Sequence, residues 1–326
     1  MSVVSSDMDV GVLTVPLGDQ PRESAFEYLA GLGVDAVELG CGGYPGSDHV
    51  DRSALLSDPD ARAALRDDLD AHDLRVSALA THNNPLHPDE QRASEADREL
   101  REAIELAGLL DVGTVTCFSG LPAGGPNDEV PNWVTAPWPG EHADAHEYQW
   151  EVATEYWREL ASYADEHGVD LAIEMHPNML IYEPTGLLEL RERTSERVGA
   201  NFDPSHLYWQ GIEVTDAIRL LGEAIHHVHA KDTRVYDAQA RTKGVLDTTA
   251  YDEVADRSWL FRSVGYGHGE DHWRDVVSTL RMVGYDGALS IEHEDALTSA
   301  SEGLEKGVEL LQRVVFEDRP GDAFWA

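Results

Sequence analysis

The sequence predicts an α/β fold, and within that class a closed (β/α)8 TIM barrel that takes up the whole chain, 1–326, as a single domain. Three observations carry this expectation. Eight short runs rich in β-branched residues alternate with segments of helical period; the chain has the length of one large α/β domain; and no Gly-rich phosphate turn follows the first run. The runs are 10–15, 36–39, 75–80, 114–118, 170–174, 198–202, 225–230 and 288–292. Helices are read at 22–31, 59–72, 96–110, 145–167, 185–194, 214–221, 272–283 and 299–315. In the third of these, Leu100, Ala103, Ile104, Ala107 and Leu110 form one apolar stripe, with Asp97, Arg98, Arg101 and Glu105 elsewhere. Such alternation implies parallel strands joined by right-handed crossovers. A doubly wound sheet is the alternative, but its first turn normally carries a glycine fingerprint, and here it reads Val15-Pro16-Leu17-Gly18.

Sixty-two acidic residues against 24 basic ones give a net charge of −38, at 42% hydrophobic and 26% charged residues, which is a globular rather than a disordered composition. No apolar run approaches the ~18 residues of a membrane span. The opening Met1-Ser-Val-Val-Ser-Ser-Asp7 lacks the basic and apolar regions of a signal peptide. Cys41 and Cys117 alone make no disulfide framework. A soluble cytoplasmic protein is expected. Only Lys231, Lys243 and Lys306 are lysines, and the acids are dispersed. Such a surface is similar to that of halophilic proteins, which stay hydrated in molar salt where charges are screened within ~3 Å. The charge then reports habitat, and it argues against nucleic acid as a partner, because phosphate backbones are held by Lys and Arg.

Two connections are too long for plain turns: 119–144, with Trp133 and Trp138, and 232–265. Both leave C-terminal strand ends, where barrel active sites form, so both are candidate lids. The second carries Arg234, Arg241, Lys243, Arg257 and Arg262, which makes it a candidate clamp for an anionic substrate. The terminal Ala323-Phe-Trp325-Ala is expected to pack on a neighbouring copy or on its own barrel.

The ends of the last four runs carry the chemistry. They read Leu-Ala-Ile-Glu174-Met-His176, Asn-Phe-Asp203-Pro-Ser-His206, His-Val-His229-Ala-Lys-Asp232 and Ser-Ile-Glu292-His-Glu294. A charge at the last inward position of a barrel strand is costly unless it is paired or coordinates something, and the pattern recurs on four consecutive strands. Three carboxylates and one imidazole suit a divalent ion, Mn²⁺ first, with Mg²⁺, Co²⁺ or Zn²⁺ as alternatives. The two-residue strand period leaves Glu174 and His176 on one face, as it does Glu292 and Glu294, and also His227, His229 and Lys231. Periodicity does not choose within these sets. The fifth and eighth strands lie about 135° apart around an eight-stranded barrel, so Glu174 and Glu292 reach a central substrate from different sides. That placement suits proton removal beside a carbonyl by one glutamate and its return by the other, through a metal-stabilised enediolate.

These strand ends resemble the xylose isomerase-like barrel superfamily, and within it the sugar (phosphate) isomerases and epimerases of the D-tagatose 3-epimerase type. The resemblance implies one divalent metal held by Glu174, Asp203, His229 and Glu292, with Glu174 and Glu292 as the catalytic acid–base pair. It implies substrate contacts at His206, Arg234, Glu38 and His82, and His176 and Trp138 complete the expected substrate-binding set. It also implies a small sugar or keto-sugar substrate and allows a homo-oligomer. The segments Val264-Gly-Tyr-Gly-His-Gly269 and Ser290-Ile-Glu-His-Glu-Asp295 resemble, in addition, the large subunit of C-glycoside deglycosidases. Those are lyases that act on 3-keto-glycosides with a small partner subunit. A class IV apurinic endonuclease-like hydrolase is the third reading. It calls for additional histidines that the fourth run, Thr-Val-Thr-Cys117-Phe-Ser, and the segment between Asp232 and Gly265 do not supply.

Overall fold

The computed structural model describes residues 8–316; the Ala323–Ala326 packing and the first seven residues lie outside them. The first half runs β1 (Val10–Leu13), α1 (Arg22–Gly31), β2 (Ala36–Gly43), α2 (Arg52–Ser57), α3 (Pro59–Asp70), β3 (Arg75–His82), α4 (Glu90–Leu110) and β4 (Thr114–Phe118). The second half opens with α5 (Gly140–His167), β5 (Asp170–Glu174), α6 (Pro184–Arg193), β6 (Val198–Phe202), α7 (Ser205–Tyr208), α8 (Val214–Leu221) and β7 (Ile225–Ala230). It ends with β8 (Asp232–Val235), α9 (Asp237–Lys243), β9 (Trp259–Arg262), α10 (Glu270–Met282), β10 (Leu289–Ile291) and α11 (Ala300–Val314).

Eight parallel strands close in the order β1-β10-β7-β6-β5-β4-β3-β2. Gly11 of β1 stands opposite Ala36 of β2 on one side and Ser290 of β10 on the other, which is the closure itself. The outward strand residues pack under the helices: Leu39, Cys117, Ile173, Phe202, Val228 and Ile291 share one core with Trp157, Trp273, Leu304 and Leu311. Each such apolar side chain stabilises the fold by roughly 1.5–3 kcal/mol on burial. Trp157 of α5, fully buried, also donates its indole N–H to Ser119 O at 3.0 Å, which ties the helix to the end of β4. No helix among the described residues is long and apolar enough to cross a membrane.

The differences from the sequence reading are local. Helix α4 starts at Glu90 rather than 96, because Asp89 caps it by accepting from the amides of Gln91 and Arg92. Strands β2 and β3 extend to Gly43 and His82. Gly43, at φ 63°, brings the end of β2 so close to His82 O that a Cβ there would stand 2.3 Å from it, so only glycine fits. The segment 232–265 is not one open loop. Strands β8 and β9 pair antiparallel, from Asp232 opposite Arg262 to Val235 opposite Trp259, with α9 at the tip.

Candidate active site

Two polar layers fill the C-terminal half of the barrel. The lower one centres on Glu38 of β2, which is wholly buried. Its carboxylate accepts from Thr116 Oγ1 of β4 at 2.6 Å and Ser290 Oγ of β10 at 2.7 Å. His227 Nε2 and His229 Nε2 of β7 stand 3.0 Å from it. A side chain that reaches three other strands lies on the barrel axis. Burial opposes its ionisation, yet the imidazoles of His229 and His227 hold its carboxyl well below the ordinary carboxylate range.

The upper layer gathers the strand ends. Glu174, Asp203, His229 and Glu292 each present one ligand atom, and the four atoms lie within 4.8 Å of one another. Backbone and neighbours fix each of them. Asp203 Oδ1 accepts the amide of Ser205 at 2.8 Å, which leaves Oδ2 buried and turned to the cluster, 3.1 Å from His206 Nε2 and 3.3 Å from Lys231 Nζ. Asn201, two residues earlier on the same inward face, donates to Glu174 Oε2 at 3.1 Å. His229 turns Nε2 to Glu38 and Nδ1 to Glu174 and Glu292, 3.2 and 3.1 Å away. Burial opposes its charge, but these carboxylates raise the imidazole well above its ordinary range, so without an ion Nδ1 carries a proton that a metal would replace. Three buried carboxylates and an oriented imidazole nitrogen converging on one point fit a divalent metal ion.

Lys231 completes the layer. It is buried, and its Nζ donates to Glu292 Oε2 at 2.8 Å and Glu294 Oε2 at 2.9 Å, stands 3.3 Å from Asp203 Oδ2 and lies 4.6 Å over the Phe261 ring. Burial disfavours charge throughout this layer, but opposite charge outweighs it. His82, His206 and His229 hold Glu174 well below its ordinary range; Lys231 does most for Asp203 and Glu292; and Glu292, Glu294 and Asp203 raise Lys231 well above its own.

The other expected site residues divide. His206 Nε2 lies 3.0 Å from Glu174 Oε1 and 3.1 Å from Asp203 Oδ2, and its Nδ1 has no partner. His82 Nε2 lies 3.0 Å from Glu174 Oε2. His176 stands at the mouth, where it packs on Phe118 and His206 with ring centroids 4.6 and 4.3 Å apart and donates to Pro177 O. Burial, with His206 beside it, pushes His176 down to about 3, so its ring is neutral. Phe118, His176, His206 and Phe261 thus form an aromatic wall beside the carboxylates.

Glu38, Arg234 and Trp138 are not brought to that wall. The four partners of Glu38 occupy its carboxylate beneath the cluster, a place for orienting His229 rather than for meeting a substrate. Arg234 alternates to the outer face of β8, donates to Gly267 O at 3.1 Å and lines a groove with Tyr208, Tyr236 and His268. Trp138 is 81% exposed, whereas Trp133 of the same connection packs edge-on against Tyr182 and against the Trp209–Trp259–Phe261 cluster. Lys231, Asn201 and the orienting use of Glu38 went unassigned in the sequence. Two of them carried a signal: Lys231 follows His229, and Asn201 precedes Asp203, by the two-residue strand period.

The family model described as the xylose isomerase-like TIM barrel matches residues 26–314. Among characterised and uncharacterised proteins, the chain is 38% identical to the uncharacterized protein YfiH of Bacillus subtilis, over 94% of this chain and 99% of that one. Among solved structures it superposes on the probable 3-DHS dehydratase AsbF of Bacillus anthracis with a TM-score of 0.67 at 14% identity, covering 94% of this chain and 99% of that one. An IOLI protein with a bound zinc atom gives 0.65 at 17%, covering 95% and 100%, and a D-tagatose 3-epimerase-like protein 0.61 at 23%, covering 94% and 98%. At these identities the structural likeness is one of fold. Together with the match over most of the chain, it places this protein in the xylose isomerase-like TIM barrel family.

Proposed function

We propose that the protein is a divalent-metal-dependent isomerase or epimerase of an uncharged keto-polyol, a free ketose, keto-sugar or cyclic polyol ketone, and that it acts on the carbon beside the carbonyl. The observation that carries this reading is the meeting of Glu174 and Glu292 at one cluster from strands three places apart in the barrel. Glu174, Asp203, His229 and Glu292 would hold the ion, with Mn²⁺ favoured by the oxygen-rich set. A divalent ion so held polarises a carbonyl and stabilises the negative charge that develops when the neighbouring carbon loses its proton. Glu174 and Glu292 flank that carbon from two sides, one to take the proton and the other to return it. His206, with Nδ1 unpaired, offers a hydrogen bond to a substrate oxygen, and the aromatic wall offers an apolar face to the C–H side of a polyol. Neighbours named as an epimerase-like protein and as a dehydratase support a reaction that starts with this proton transfer.

The places taken by the basic side chains support an uncharged substrate. Arg234 bonds Gly267 O on the outer face, and Arg241 pairs with Asp237 in solvent. Lys243 pairs with Asp247. Buried Arg257 donates to Trp259 O and stacks on Tyr251, and Arg262 binds Asp295. The cation at the cluster, Lys231, already faces three carboxylates. Four of the five basic residues of segment 232–265 are thus engaged, and Arg234 keeps its charge on the outer face of β8, away from the cluster.

The test is proton NMR of products from Mn²⁺-loaded protein given free ketohexoses, cyclic polyol ketones, their phosphate esters and 3-keto-glycosides. Epimers or isomers of the neutral substrates are expected. Turnover confined to phosphate esters contradicts the uncharged class, and elimination products assign the lyase chemistry of the C-glycoside deglycosidase type.

A further inference from the structure

The ammonium of Lys231 and a metal ion need the same oxygens. Nζ is bonded to Glu292 Oε2 at 2.8 Å, an oxygen that also stands 3.1 Å from His229 Nδ1, and lies 3.3 Å from Asp203 Oδ2, the oxygen turned into the cluster beside His206. The lysine sits two residues beyond His229 on the same inward face of the chain, at 1% exposure, so its ammonium is held beside the cluster. A third anchor draws it away from the ligands: Glu294 Oε2, at 2.9 Å, whose other oxygen accepts from Tyr44 at 2.5 Å on the rim of the barrel.

We propose that Lys231 is a built-in competitor for the metal, a tethered cation that neutralises Asp203 and Glu292 in the stripped protein and yields them to the ion while keeping Glu294. The inference rests on the metal reading above. The physical reason is charge accounting in a buried space. Glu174, Asp203, Glu292 and Glu294 bring four negative charges together; His206 and His229 face Glu174, Asp203 and Glu292, and the lysine held among Asp203, Glu292 and Glu294 offsets the repulsion that remains in the stripped protein. Once an ion binds, the same ammonium is a like charge a few ångströms away and lowers the affinity. A residue that is not a ligand therefore lowers the affinity that the ligands supply, and Glu294, by drawing the ammonium toward the rim, shifts the balance toward the ion.

Two substitutions on either side of this balance move in opposite directions. Protein stripped with chelator and dialysed is titrated with Mn²⁺, and binding is followed by calorimetry and by the EPR signal of free Mn²⁺. Lys231→Met should bind Mn²⁺ about tenfold tighter or more, with a lower melting temperature when stripped that metal restores. Lys231→Arg, which keeps the charge, should stay close to the parent affinity. Glu294→Gln should bind about threefold to tenfold more weakly, although Glu294 is no ligand. Affinity in Lys231→Met equal to or below the parent's overturns the proposal. So does unchanged or tighter binding in Glu294→Gln, which decides the matter if the methionine variant does not fold. Asp203→Asn in the same titration separates the two ideas: unaltered Mn²⁺ binding there sinks the ligand set itself, whereas weakened binding with no gain in Lys231→Met sinks only the competitor.

Discussion

His229 shows how much of a site is decided one bond away from the chemistry. Its ring is useful to a metal only in the tautomer that leaves Nδ1 bare, and Glu38 selects that tautomer by accepting from Nε2 at 3.0 Å. Glu38→Gln should therefore weaken Mn²⁺ affinity about 10- to 100-fold without removing a ligand. Calorimetric titration checks this, and unaltered affinity would reduce Glu38 to a space-filling role. Asp203→Asn should lower metal content more strongly, because it removes the charge of one of the four groups that converge on the cluster. Mass-spectrometric metal analysis of the purified variant gives the answer, and parent-level content removes Asp203 from the set. The cluster residues were legible in the sequence because charge at an inward strand end is anomalous by itself. The roles of the support residues were not: Glu38 stands out as a charge in its run and Asn201 lies two residues before Asp203, but that one orients His229 and the other donates to Glu174 is visible only once their partners on other strands are known. Arg234 misled for the converse reason. Its closeness to His229 along the chain says nothing about the face it takes on β8, and the alternation turns it outward.

The segment 232–265 illustrates the same limit for an element. Its composition reads as an open basic loop, whereas Asp232, fully buried, organises it. Oδ2 accepts from the amides of Gly265, Gly267 and His268 at 3.1, 3.0 and 2.9 Å and from Trp273 Nε1 at 3.3 Å, while His268 Nδ1 reaches Oδ1 at 2.8 Å. Gly267 approaches so closely that a Cβ would stand 2.3 Å from Oδ1. One carboxylate thus pins the Val264–Gly269 turn to the start of β8 and fixes the ribbon over the barrel mouth. Asp232→Ala leaves several buried donors unpaired and should cost about 3–5 kcal/mol in urea unfolding. Arg241→Ala, which breaks a solvent-exposed pair with Asp237, should cost no more than about 0.5 kcal/mol. Similar losses in the two variants would contradict this account of the segment. The long strands and helices were readable because their periodicity runs over several turns. The ribbon was not, since four-residue strands carry too little pattern and its ordering group acts across 33 to 41 residues.

For the whole molecule, the net charge of −38 sets the conditions in which the barrel is stable. Carboxylates spread over the surface repel one another, and salt screens them. Raising KCl from about 0.1 M to about 2 M should lift the melting temperature by about 10 °C, read by circular dichroism, whereas a flat or falling curve would show that the acidic surface is not adapted to salt. The buried cluster is a different electrostatic regime, since its charges are paired at 2.8 to 3.3 Å and salt reaches them poorly. The surface carboxylates are open to screening by salt, whereas the central ones are balanced by their own neighbours. The measurement that tests the central claim most directly is deuterium wash-in by proton NMR. Mn²⁺-loaded protein is incubated in D2O and high KCl with the keto-polyol panel, beside stripped protein and Glu292→Gln. The account predicts exchange at the carbon next to the carbonyl that requires the metal and falls about 1,000-fold or more in Glu292→Gln. Exchange that persists in that variant or in stripped protein would contradict it.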